Sequence, residues 1–111
     1  MLDAAHRARE LSRGNEVGSL QPHSETGLAL TRLLEILGEA SAKISPGLKT
    51  RHPEVPWRDV ADTRNLVVHE YFDVDMEIVK AIIEDDLSPL IEQLEMVLKE
   101  IEESGGEGER G

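Results

Sequence analysis

The sequence predicts an all-α protein, an antiparallel bundle of four or five helices that forms a homodimer. Two long apolar stripes recur at the helical spacing of three and four, and no alternating β pattern bounded by turn pairs stands out. The chain has 111 residues and only three aromatics, Trp57, Tyr71 and Phe72, so its core must be aliphatic. A domain this small buries about 60–70% of the surface its unfolded chain exposes. Long aliphatic stripes on so short a chain call for a second copy to cover them.

In chain order, Leu2, Ala5, Ala8 and Leu11 outline a first, weaker helix that Gly14 ends, and residues 14–23 read as a loop. Leu30, Leu33, Leu34, Leu37, Ala40 and Ile44 form the first long stripe, with Ser24 as its start and Pro46–Gly47 as its stop. A third helix runs from Pro56, suited to the first helical position, to about His69. It places Trp57, Val60, Ala61, Arg64, Val67 and Val68 on one side. Met76, Val79, Ile82 and Ile83 make a shorter stripe, with Asp73 or Asp75 as N-cap. Leu87, Leu90, Ile91, Leu94, Val97, Leu98 and Ile101 make the second long stripe. Positions 87, 94 and 101 lie seven apart, as in a packing seam. Ser88–Pro89 fits either a helix start or a kink. Residues 1–103 read as one helical domain, and 104–111, SGGEGERG, as a disordered, acidic, glycine-rich tail.

The net charge of −11 is unevenly spread. Residues 1–40 carry six acids and four bases, net −2. Residues 41–70 carry four acids against Lys43, Lys49, Arg51, Arg58 and Arg64, net +1. Residues 71–111 carry thirteen acids and three bases, net −10. So acidic a chain is no general nucleic-acid coat, which needs a basic surface to displace counterions, but the middle third leaves room for a local site. With no cysteine, disulfides, thiolate nucleophiles and Cys-ligated zinc are excluded. No apolar run approaches the roughly 20 residues of a membrane-spanning helix. The first ten residues carry no apolar signal-peptide core, so the expected location is the cytoplasm.

One string concentrates chemistry: Arg64-Asn65-Leu66-Val67-Val68-His69-Glu70-Tyr71. Arginine presents a planar fork of donors matched to phosphate oxygens. Histidine exchanges protons at neutral pH. Asparagine can hold an imidazole tautomer or a ligand hydroxyl. These types together suit phosphodiester cleavage, although an arginine and a histidine five apart are by themselves commonplace. On a straight helix His69 lies about 140° around from Arg64, whereas Tyr71 lies within about 20° of it. Arg64 and His69 therefore meet only if the helix unwinds near His69 or if two subunits pool them.

The string and its flanks resemble the HEPN superfamily, specifically the HepT-like toxins of MNT–HEPN toxin–antitoxin systems. The signature there is R-x4-H-x-Y with a polar residue after the arginine, and Arg64, Asn65, His69 and Tyr71 match it position for position. Leu34–Ala40 resembles the family's second helix, His52–Arg58 its approach to the motif, and Asp73–Asp75 the turn after it. The likeness covers roughly residues 24–101, with Met1–Ala5 also similar.

The resemblance implies a HEPN-like homodimer with the two motifs lining an interfacial cleft. It implies a metal-independent endoribonuclease toxin with no cofactor. Arg64 would hold and charge-stabilise the phosphate, His69 would be the general acid/base and Asn65 would orient the site. Tyr71 is similar to the tyrosine that a partner nucleotidyltransferase antitoxin modifies with AMP, which would set bulk and negative charge beside the site.

The remaining residues have plainer uses. Trp57 reads as a core anchor. Lys49 and Arg58 are candidates for guiding RNA into the cleft. Asp73 and Asp75 resemble a metal pair but suit helix capping better. His6, His23 and His52 lack zinc-site spacing, so no metal is expected. Glu35 and Glu39 form an exposed pair on the second helix, where one could reach an arginine across a dimer cleft. A non-catalytic HEPN module that binds nucleotide or recruits a nucleotidyltransferase, and a plain dimerisation domain, compete with the nuclease. The imidazole counts against the former and the polar cluster against the latter.

Overall fold

The computed structural model describes residues 1–21, 24–65 and 75–103, and these are all-α. Helix α1 (Leu2–Ser12) buries Ala4, Ala5 and Ala8, three methyl-sized side chains that let it pack closely on α2 and α6. Gly14 follows at φ +80°, a left-handed conformation that only glycine adopts at little cost. The loop beyond it contains a 3₁₀ turn, Val17–Ser19, which buries Val17. His23 lies outside the described residues.

Helix α2 (Glu25–Ala42) starts where expected: Ser24 Oγ accepts the Gly27 N–H at 3.0 Å. It buries Leu30, Leu34 and Leu37 and forms the spine of the bundle. Pro46 does more than stop it. Ser45 Oγ accepts from Leu48 N–H at 3.3 Å and Pro46 opens a short helix, α3 (Pro46–Arg51). A proline cannot continue a helix but fits the first position, where its missing N–H costs nothing.

As far as Asn65 the motif helix is less regular than the apolar pattern implies, and its expected end near His69 lies outside the described residues. Helix α4 (Trp57–Asp62) has Pro56 one position before its first residue, not at it. At Thr63–Asn65 the chain tightens into a 3₁₀ turn. Three residues per turn instead of 3.6 turns Arg64 off the buried side shared by Trp57 and Val60, and Arg64 is exposed. Val67 and Val68 lie outside the described residues.

Asp75 caps α5 (Met76–Ala81), its carboxylate accepting from Glu77 N–H at 2.9 Å. The helical path then continues through a π segment, Ile82–Leu87, into α6 (Ser88–Glu103). Ser88–Pro89 is thus not a helix start. Proline's ring collides with the carbonyl four residues back in a regular helix, and the wider π turn just before Pro89 relieves this. Leu87, Leu90, Ile91, Leu94 and Val97 are buried, while Leu98 and Ile101 remain 44% and 41% exposed. Asp73 and residues 104–111 lie outside the described residues. Among the described helices none is long and apolar enough to cross a membrane.

Candidate functional site

One side of α2 is shaped to receive the motif helix. Leu34, Gly38 and Ser41 recur at four and three along it. Buried Ser41 donates its hydroxyl to the Trp57 carbonyl at 2.8 Å. Two turns earlier in α2, the Thr63 hydroxyl lies 2.9 Å from the Leu34 carbonyl and 2.7 Å from that of Val60. Residues 57–63 thus run along α2 from 41 back to 34, so the two helices are antiparallel. Between these contacts, a Cβ on Gly38 would lie 2.7 Å from the Arg64 backbone nitrogen and 3.0 Å from the Val60 carbonyl oxygen. Only glycine lets the backbones come this close.

The other end of α4 is anchored by Trp57. Its ring is buried and its Nε1–H donates to the His52 carbonyl at 2.9 Å, the core anchor expected. His52 is itself buried, with Nδ1 3.3 Å from Glu54 and 3.8 Å from Glu100 of α6. It serves the loop that delivers α4. Among the described residues no cluster of three or more His, Asp or Glu is disposed to hold a metal ion.

The 3₁₀ turn presents Arg64 and Asn65 to solvent, side by side. His69 and Tyr71 lie outside the described residues. Arg58 is exposed on α4 and Lys49 half-buried on α3, so the two guiding candidates occupy separate elements. None of Lys43, Lys49, Arg51, Arg58 and Arg64 has an ion pair or side-chain hydrogen bond among the described residues. Three arginines elsewhere are paired with acids: Arg7 with Asp3 at 3.2 Å, Arg13 with Glu10 at 2.9 Å, and Arg32 with Glu39 at 3.4 Å and Glu35 at 3.8 Å. Glu35 and Glu39 thus already have a partner on their own helix. The middle third of the chain carries cations that the monomer leaves available.

Acid gathers along α4 as well. A groove of about 460 Å³ runs between α4 and the π segment, floored by Val60 and Leu87 and rimmed by Asp59, Asp62, Asp85 and Asp86. Four carboxylates make this groove unfavourable for a phosphate. Sequence reasoning missed this pairing of distant acids, and it missed Gly38, Ser41 and Thr63. The available signal was two small residues three apart in an otherwise leucine-rich stripe.

The chain matches the family model "Ribonuclease HepT-like" over residues 1–97. It is 39% identical over 75 residues to the probable ribonuclease HepT of Thermococcus cleftensis, covering 68% of each chain. A Methanocaldococcus jannaschii protein with a provisional RNase designation is 28% identical over 97 residues, covering 87% of this chain and 89% of its own. No solved structure matches.

Proposed function

The chain belongs to the HepT-like ribonuclease family and with it is an endoribonuclease of the HEPN type; we propose that Arg64 and His69 carry the cleavage, without a metal or other cofactor. The observation that carries this reading is the Arg64 guanidinium, exposed on a tight turn and unpaired among the described residues. Such a group is available to a phosphate and loses no internal ion pair on binding one.

His69 accepts the proton of a ribose 2′-OH as its oxygen attacks the adjacent phosphorus. The P–O5′ bond breaks, the 5′ oxygen leaves with a proton from an imidazolium, and a cyclic phosphate remains. Arg64 balances the charge that builds on the phosphate oxygens, and Asn65 orients the site. Lys49 and Arg58 draw the RNA strand in.

The active form is a homodimer with both motifs in one cleft, which resolves the angular separation of Arg64 and His69. Leu98 and Ile101, exposed at the end of α6, supply apolar surface for a partner copy. The protein acts as the toxin of a toxin–antitoxin pair. A nucleotidyltransferase antitoxin silences it by placing AMP on Tyr71.

Cleavage of RNA by the purified protein, with Arg64→Ala and His69→Ala beside it, tests the assignment. A positioned acid/base is worth roughly 10²–10⁴-fold and a charge-stabilising donor about 10²–10³-fold. Both variants fold, and cleavage falls by those factors. Undiminished activity in either refutes its role.

A further inference from the structure

We propose that Gly38 and Thr63 are positioning residues for RNA cleavage: together they fix where Arg64 presents its guanidinium. This rests on the reading of Arg64 as the phosphate-holding group.

No described residue holds the Arg64 side chain, and among the described residues it is the backbone of Arg64 that is held in place. That backbone belongs to a 3₁₀ turn, whose hydrogen-bond geometry is poorer than that of an α-helix and which needs outside support. Two contacts with α2 provide it. The Thr63 hydroxyl stands between the carbonyls of Leu34 and Val60, 2.9 and 2.7 Å away, so its proton bonds α2 or the preceding helix. Gly38 then lets the turn seat fully. A Cβ there would stand 2.7 Å from both the Arg64 nitrogen and the Thr63 hydroxyl oxygen, and the first of these is backbone that cannot swing aside. The result is an exposed arginine on a fixed base. A misplacement of about 1 Å in a catalytic arrangement can cost on the order of 10²-fold in rate. The main core lies in the leucines of α2 and α6, so loosening this contact moves the turn before it melts the bundle.

The test compares Thr63→Val, Thr63→Ser, Gly38→Ala, Arg64→Ala and the double variant Thr63→Val/Arg64→Ala. Thermal unfolding reports the fold. Cleavage of total RNA reports kcat and KM. Binding of a mixed-sequence 2′-O-methyl RNA oligonucleotide, which lacks the attacking hydroxyl, reports phosphate contacts through its salt dependence. Thr63→Val stays folded, loses about 10–100-fold in kcat, and its log–log salt slope flattens by about 0.7, the value of one single-strand phosphate contact. Thr63→Ser restores both. In the Arg64→Ala background Thr63→Val weakens binding no further.

A folded Thr63→Val with wild-type kcat and salt slope overturns the proposal. So does an equal loss of binding from Thr63→Val with and without Arg64. If Thr63→Val does not fold, Gly38→Ala makes the same comparison, and wild-type cleavage by it overturns the proposal. Failure of both to fold also overturns it, because the pair would then hold the bundle and not the arginine. If Arg64→Ala itself cleaves and binds like wild type, the reading of Arg64 is what fails.

Discussion

Ser41 and Trp57 are joined by a buried hydrogen bond: the serine hydroxyl donates to the tryptophan carbonyl at 2.8 Å. It ties α2 to the first residue of α4, at the opposite end of that helix from Arg64. Ser41→Ala removes the donor, but the Trp57 carbonyl stays within helical reach of an N–H four residues on. The loss is therefore that of an ordinary buried hydrogen bond, about 1 kcal/mol. A melting temperature lower by about 4 °C is the expected readout. Cleavage per folded molecule stays within a few fold of wild type, because Gly38 and Thr63 still seat the turn.

Tyr71→Phe separates catalysis from control. The variant keeps the aromatic ring and loses only the hydroxyl that would accept AMP. It cleaves RNA like wild type, and incubation with a nucleotidyltransferase that adds AMP to the wild-type protein, together with ATP, leaves it active and unshifted in mass. Full silencing of Tyr71→Phe by that enzyme removes Tyr71 from the scheme.

Lys49 and Arg58 are unpaired among the described residues and sit on different helices. Reversing each to Glu slows RNA association and leaves single-turnover cleavage of bound RNA nearly unchanged, as expected for charges that steer. Each replacement flattens the salt slope by about 0.7 if that residue meets one phosphate. Unchanged association at low salt removes the residue from the RNA path.

Leu98 and Ile101 extend the buried stripe of α6 into solvent. Leu98→Glu with Ile101→Glu places two charges where a second copy would pack in the proposed dimer; on that reading the wild type sediments as a dimer and the variant as a monomer, and cleavage falls with it if the cleft is shared. A dimer that survives both charges moves the interface elsewhere.

Much of this protein was legible along the chain. The spacing of Leu30, Leu34 and Leu37, and of Leu87, Leu90, Ile91 and Leu94, marks helices because burial requires a stripe on one side. Ser24 announces a helix start because its oxygen meets a free N–H group in the first turn, and of the two aspartates offered for the next start the structure shows Asp75 capping. The motif that places the chain among HepT-like ribonucleases can be read without coordinates.

Three matters depended on tertiary structure. Pro46 reads as a stop; the structure also starts a helix there, with Ser45 as its cap and Pro46 at its first position. Pro89 leaves start and kink open; the π segment resolves it by carrying the helix through, with Leu87 and Leu90 both kept in the core. The seating of Arg64 is a contact between residues 38 and 64, far apart in sequence. Chain periodicity reports which side of a helix is apolar and says nothing of how closely two backbones approach. That distance is decided where the helices cross, and here Gly38, a side chain that is absent, decides it.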